Sequence, residues 1–189
     1  MDISEEFTVT RPIGEVWDLF LDVPEVARCL PGAELTEDHG DGSYSGTLAV
    51  KLGPITSSFE GRATVVADEA THQMKIDGKG VDRSGGSQGR VKVDAVLVGT
   101  DANHTRVTLD SHVMLAGPVA QFGRTGLVKE LSRRLIDEFG DCLHAKLDAE
   151  TDEEASAVEA GDVKGLSLFF SSLWSWITSL FRGQPTRDE

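Results

Sequence analysis

The sequence predicts an α+β fold: a curved antiparallel β-sheet wrapped around one long C-terminal helix, with two short helices after the first strand. Two patterns carry this. From Glu34 the apolar residues alternate with a period of two for about 80 residues, and a single long run of helical spacing follows.

Ile3, Glu5, Phe7 and Val9 alternate with polar neighbours, as a half-buried strand does. Arg11-Pro12 interrupts the pattern, and Pro12 suits the first turn of a helix, on which Val16, Trp17, Phe20 and Leu21 share a face. Pro24 opens a second short helix through Val26, Ala27 and Leu30, and Pro31-Gly32 stops it. Strands are then expected near 34–38, 43–52, 55–68, 72–80, 84–98 and 104–115, joined by short turns. Gly117-Pro118 ends this meander. Val119, Phe122, Leu127, Leu131, Leu135, Phe139 and Leu143 mark one helix running to about Leu147. A sheet that grips a single helix presents more concave apolar surface than the helix can cover, so a cavity is expected between them.

This domain is expected to span residues 1–147. Residues 148–163 are acidic and poor in large apolar side chains, and so read as a flexible solvated linker. Residues 164–182 hold an uncharged stretch bracketed by Lys164 and Arg182. On a helix, Leu166, Phe169, Phe170, Leu173, Trp174, Trp176, Ile177, Leu180 and Phe181 fall on one arc, and serine and threonine occupy the other. The stretch is shorter than the roughly 20 residues needed to cross a bilayer. It reads as a helix lying in the membrane interface by apolar insertion. Residues 183–189 read as a disordered tail.

The net charge of −14 leaves no surplus of cations to neutralise phosphates, which excludes nucleic acid as a partner. It also makes the apolar tail the main hold on a membrane. The N-terminus has neither a basic nor an apolar export region, so a cytoplasmic protein is expected, peripheral on the cell membrane. Cys29 and Cys142 show no metal or disulfide spacing and are expected as reduced thiols. The five histidines lack ligand spacing, so no metal site is expected. Ser84-Gly-Gly-Ser-Gln-Gly89 lacks the ending of a phosphate loop. Asp110 and His112 share a strand face and are the only pair that could serve a small hydrolase or cyclase; no catalytic residue is assigned.

Successive turns of a meander alternate between the two ends of the sheet. One set, near 39–42, 68–71 and 100–103, is polar and acidic; the other, near 52–54, 79–89 and 116–118, is rich in glycine and proline and bordered by Lys51, Lys79, Arg83, Arg90 and Arg124. This second end is expected to be the cavity mouth, formed by Gly53, Pro54, Lys79, Arg83, Gly117, Pro118 and Arg124. Trp17, Leu21, Phe59, Met74, Val96, Met114, Phe122, Leu127 and Leu131 are the expected lining.

Leu30-Pro-Gly-Ala-Glu34, Lys51-Leu-Gly-Pro-Ile55, Phe59-Glu-Gly-Arg-Ala63, Gly78-Lys-Gly80 and the passage from Gly117-Pro118 through Phe122-Gly123 to Leu127 resemble the G-subunit family of carbon monoxide dehydrogenase. The resemblance covers residues 1–147 and implies the START-type helix-grip fold, whose members mostly bind apolar ligands under the long helix. It further implies an accessory factor that brings a molybdenum CO dehydrogenase to the cytoplasmic membrane. That enzyme must pass electrons to the respiratory chain, so the implied cargo is a membrane quinone such as menaquinone, carried between bilayer and enzyme. Two other readings stand beside it: a recruitment adaptor with no transport role, and the small hydrolase or cyclase.

Overall fold

The computed structural model describes residues 1–52, 55–124, 126–149 and 151–159. The expected membrane-interface residues Leu166 to Phe181 lie outside these, as do Gly53 and Pro54. In chain order the elements are β1 (Asp2–Val9), α1 (Ile13–Leu21), α2 (Val23–Arg28), β2 (Ala33–Asp38), β3 (Ser43–Leu52), β4 (Ile55–Asp68), β5 (Gln73–Asp82), β6 (Ser87–Asp101) and β7 (His104–Ala116). A 3-10 helix (Pro118–Arg124), α3 (Leu127–Asp148) and α4 (Asp152–Ala157) follow. One seven-stranded antiparallel sheet in the order β1-β7-β6-β5-β4-β3-β2 curves around α3, as the two sequence periods require.

Local chemistry sets the element ends. Asp22 caps α2 by accepting the Glu25 amide at 3.2 Å, and Pro24 occupies its first turn, where an amide proton would have no partner. The helix expected from Val119 is two elements. The apolar spacing survives, but Gly126 adopts φ +74°, a left-handed conformation that ends one helical run before the next begins. Continuous α-helix therefore starts at Leu127.

The core is solid where β5, β6 and β7 approach their acidic turns. Val9, Val16, Trp17, Phe20, Met74, Ala95, Leu97, Val107, Phe139 and Leu143 are buried against one another there. Phe139 meets Phe7 and Phe20 edge-on, with ring centroids 6.0 and 6.3 Å apart. Gly140 lets α3 press onto β1: a Cβ at this position would lie 3.3 Å from the Phe7 ring.

Two expectations are corrected here. The cysteines are not free: Cys29 and Cys142 form a disulfide, with Cα atoms 5.4 Å apart. The fold lays the end of α2 against α3 and so pairs residues separated by 113 positions, a distance at which spacing carries no signal. The acidic segment from 148 is also not simply a solvated linker. Thr151 caps α4 by accepting the Glu154 amide, and the helix docks back on the domain. Arg28 donates to the Ser156 carbonyl, and Val158 packs on the core. Lys146, with its side chain only 2% exposed, reaches both Glu25 Oε2 and the Ala155 carbonyl at 2.8 Å.

Candidate ligand cavity

Strand alternation places Val65, Ile76, Val93 and Val113 on the concave face, together with Phe59 and Leu115. In contrast to the buried core at the acidic-turn end, these residues are only half-buried, and so are Leu127, Leu131, Leu135 and Ile136 on α3. Val65, Ile76, Val93 and Ile136 pack at the edge of that core, so the least covered apolar surface on this face belongs to Phe59, Val113, Leu115, Leu127, Leu131 and Leu135 and is where the fold can receive an apolar ligand.

Glycine shapes the floor. Gly46, Gly61, Gly80 and Gly89 stand directly opposite one another on four consecutive strands, β3 to β6. A Cβ at Gly61 would lie 2.0 Å from the Lys79 carbonyl oxygen, so the sheet can crease here only without a side chain. Phe59 lies over the crease: a Cβ at Gly80 would meet Phe59 Cβ at 3.1 Å, and one at Gly89 would meet its ring at 3.6 Å.

A buried polar group stands at the glycine-rich end. Asp82, Ser57 and Ser87 are each 2% exposed. Asp82 Oδ1 accepts from the Gly85 amide at 2.8 Å and the Ser84 hydroxyl at 2.7 Å, with the Ser57 hydroxyl beside the carboxylate. The Gly85 and Ser84 hydrogen bonds hold the Asp82 carboxyl below its ordinary pKa. The Val119 amide donates to Ser87 Oγ at 3.4 Å, which ties the 3-10 helix to the β5–β6 turn. Gly117, at φ +78°, packs on the same turn, where a Cβ would lie 2.4 Å from the Gly86 carbonyl oxygen.

The residues expected to line the cavity divide into four groups. Phe59, Phe122, Leu127 and Leu131 are half-buried. Trp17 and Met74 belong to the solid core. Val96 and Met114 stand on the outer face, because their neighbours Ala95, Leu97 and Leu115 take the inward positions; Met114 is 43% exposed. Leu21 is 39% exposed on α1. Among the expected mouth residues, Gly117 lies against the β5–β6 turn and Pro118 begins the 3-10 helix. Arg83 is exposed within that turn, 3.8 Å from Glu60, and Lys79 is on the outer face. Arg124 has no described side chain. Asp110 and His112 also face outward, where Asp110 accepts from Ser4 and His112 pairs with Asp2, so neither reaches the cavity. The glycine floor and Leu115 were not anticipated, although the Gly78-Lys-Gly80 and Gly61 positions were part of the resemblance.

Behind the crease, the outer face of the sheet carries a trough of about 560 Å³. Arg62, Lys79, Arg90 and Met114 form one wall, and Glu60, Val81, Gln88 and Ala116 the other. Arg90 is clamped by Asp77 through Nε at 2.9 Å and Nη2 at 2.6 Å. These hydrogen bonds hold the Asp77 carboxyl below its ordinary pKa, helped by the charges of Lys92 and Lys79. Among the described residues Arg62 and Lys79 make no ion pair or side-chain hydrogen bond.

The fold recurs in solved structures. A conserved protein from Geobacillus kaustophilus superposes with a TM-score of 0.64 at 18% identity, covering 76% of this chain and 95% of its own. The Zhui aromatase/cyclase from Streptomyces sp. R1128 gives 0.56 at 16% identity, covering 78% and 93%. TTHA0849 from Thermus thermophilus gives 0.55 at 14% identity, covering 76% and 97%. At these identities the likeness is one of fold, the helix-grip fold of START-like proteins. No curated protein sequence matches the chain. Residues 6–148 match the family of the carbon monoxide dehydrogenase G subunit, CoxG. The chain belongs to this CoxG family.

Proposed function

We propose that this protein is a non-catalytic accessory factor of a CO dehydrogenase that holds an isoprenoid quinone, menaquinone or a close relative, in its cavity and carries it between the cytoplasmic membrane and the enzyme. The observation that carries this reading is the half-buried apolar band between the glycine crease and the N-terminal half of α3. Family membership supports the association with CO dehydrogenase. The fold it shares with an aromatase/cyclase supports the binding of an apolar molecule. A respiratory enzyme and a hydrophobic electron carrier in the bilayer need a vehicle between them. An apolar interior would shield the isoprenoid chain from water, at about 25 cal/mol per Å² of apolar surface covered. The tail from Leu166 to Phe181 would keep the domain at the bilayer.

The test is extraction of the purified full-length protein with organic solvent, followed by mass spectrometry. A stoichiometric isoprenoid quinone is the expected result. Gly89→Leu, which projects a side chain into the space beneath the Phe59 ring, should abolish its recovery. Protein reproducibly free of any isoprenoid lipid would leave only the adaptor role.

A further inference from the structure

We propose that the basic trough on the outer face of the sheet is the docking surface for an acidic segment of the partner oxidoreductase. The inference rests on the accessory reading above and adds the face through which it acts.

The arrangement of cations points to an interaction site. Arg62 pairs in register with Lys79, and Lys79 with Arg90, so three cations stand directly opposite one another on neighbouring strands. Side chains in such positions have Cβ atoms about 4.5–5.5 Å apart, and like charges there destabilise a sheet. The chain has 32 acidic residues against 18 basic ones, enough to intersperse the row with carboxylates. Yet one carboxylate, Asp77, serves the row: it clamps Arg90 and feels the charge of Lys79, while neither Lys79 nor Arg62 makes an ion pair or side-chain hydrogen bond among the described residues. A row of three cations that shares a single internal carboxylate suits an external anion.

Shape selects the kind of anion. The trough is concave, and exposed Met114 and Val81 add apolar surface beside the guanidinium and ammonium groups. Inserted side chains can fill a trough of 560 Å³, whereas a flat bilayer surface would bridge its walls. Methionine and arginine beside an apolar patch are the composition of a protein interface. Elsewhere the chain is strongly acidic and repels an acidic partner, so charge alone would turn this face toward it. Gly61, Gly80 and Gly89 contribute backbone both to the trough and to the cavity floor. A partner held in the trough is therefore one sheet thickness from the ligand.

Binding of full-length protein to purified CO dehydrogenase tests this, using immobilised enzyme and a salt series. Arg62→Glu with Lys79→Glu should weaken binding by at least about tenfold and flatten its salt dependence, because the contact is electrostatic. Arg133→Glu on α3 should leave binding unchanged. Lys79→Glu alone keeps the variant interpretable: it places a carboxylate between Arg62 and Arg90, so its thermal midpoint should equal or exceed that of the wild type while affinity falls. Unchanged affinity in the double variant overturns the proposal. So does a loss confined to phosphatidylglycerol vesicles, which would make the trough a lipid contact. Wild-type protein that carries quinone but does not bind the enzyme overturns the docking face and spares the carrier reading. Wild-type protein that does neither overturns both.

Discussion

Lys146 and Glu25 meet at 2.8 Å one helical turn beyond the Cys29–Cys142 bond, and the lysine side chain is almost wholly withdrawn from water. The ammonium also satisfies the Ala155 carbonyl, so a single charge joins α2, α3 and α4. Removing one partner of a buried pair is costlier than replacing the pair, because the surviving charge stays desolvated. Glu25 retains about a quarter of its exposure, which moderates the effect. Glu25→Gln should lower unfolding free energy by about 2–4 kcal/mol, and Lys146→Met by less, as urea denaturation would measure.

The disulfide closes a long loop. In the chain-entropy model a loop of about 100 residues is worth about 4.7 kcal/mol. Cys29→Ser with Cys142→Ser should approach that loss in a urea titration, and reductant should destabilise the wild type but not the variant. Thiol alkylation of unfolded, unreduced protein should label neither cysteine.

Asp82 supplies a pH dependence whose sign is fixed. Its carboxyl is held below the ordinary value, so the folded state binds fewer protons than the unfolded one. The stabilisation is present above the unfolded carboxylate range and disappears as pH falls through the folded value. Asp82→Asn should lower the thermal midpoint at pH 7, and this difference should shrink on acidification toward about pH 3, below the reference aspartate pKa.

Removing residues 163–189 leaves the Lys146–Ala155 and Arg28–Ser156 contacts in place, so the domain should keep its thermal midpoint. The truncated protein should stop sedimenting with phospholipid vesicles. If it still pellets with them, the tail is not what holds the protein at the membrane.

Strand periodicity was legible because every strand has one face toward the core, which forces alternation. The inward and outward sides of β6 and β7 were harder to assign, since Val96 and Met114 are as apolar as Ala95 and Leu115. Only the pairing register settles which side enters the cavity. The break before α3 is not legible in the sequence because Val119 and Phe122 before Gly126 carry the same helical apolar spacing as Leu127 and Leu131 after it. A signal for α4 was present in Thr151-Asp-Glu-Glu154, a hydroxyl followed three residues later by glutamate, which is a helix start. Acidity masked it, because the apolar surface that seats α4 belongs to other parts of the chain. Contacts such as Cys29–Cys142 and Lys146–Glu25 exist only once the chain has folded back on itself.

Among the described residues, the disulfide and the side-chain bonds that tie α3 to other elements are gathered at its last turns, which makes the helix a cantilever. Disulfide, buried ion pair and aromatic packing fix it from Phe139 onward and Ile136 packs at the edge of the core, while Leu127 to Leu135 reach over the less covered part of the sheet. The overhang is about 9 residues, or about 13 Å at 1.5 Å per residue, so pivoting by about 10° at the clamp swings its tip by about 2 Å. That travel is about half the width of a hydrocarbon chain, and the clamp bonds lie at the pivot rather than on the moving arm.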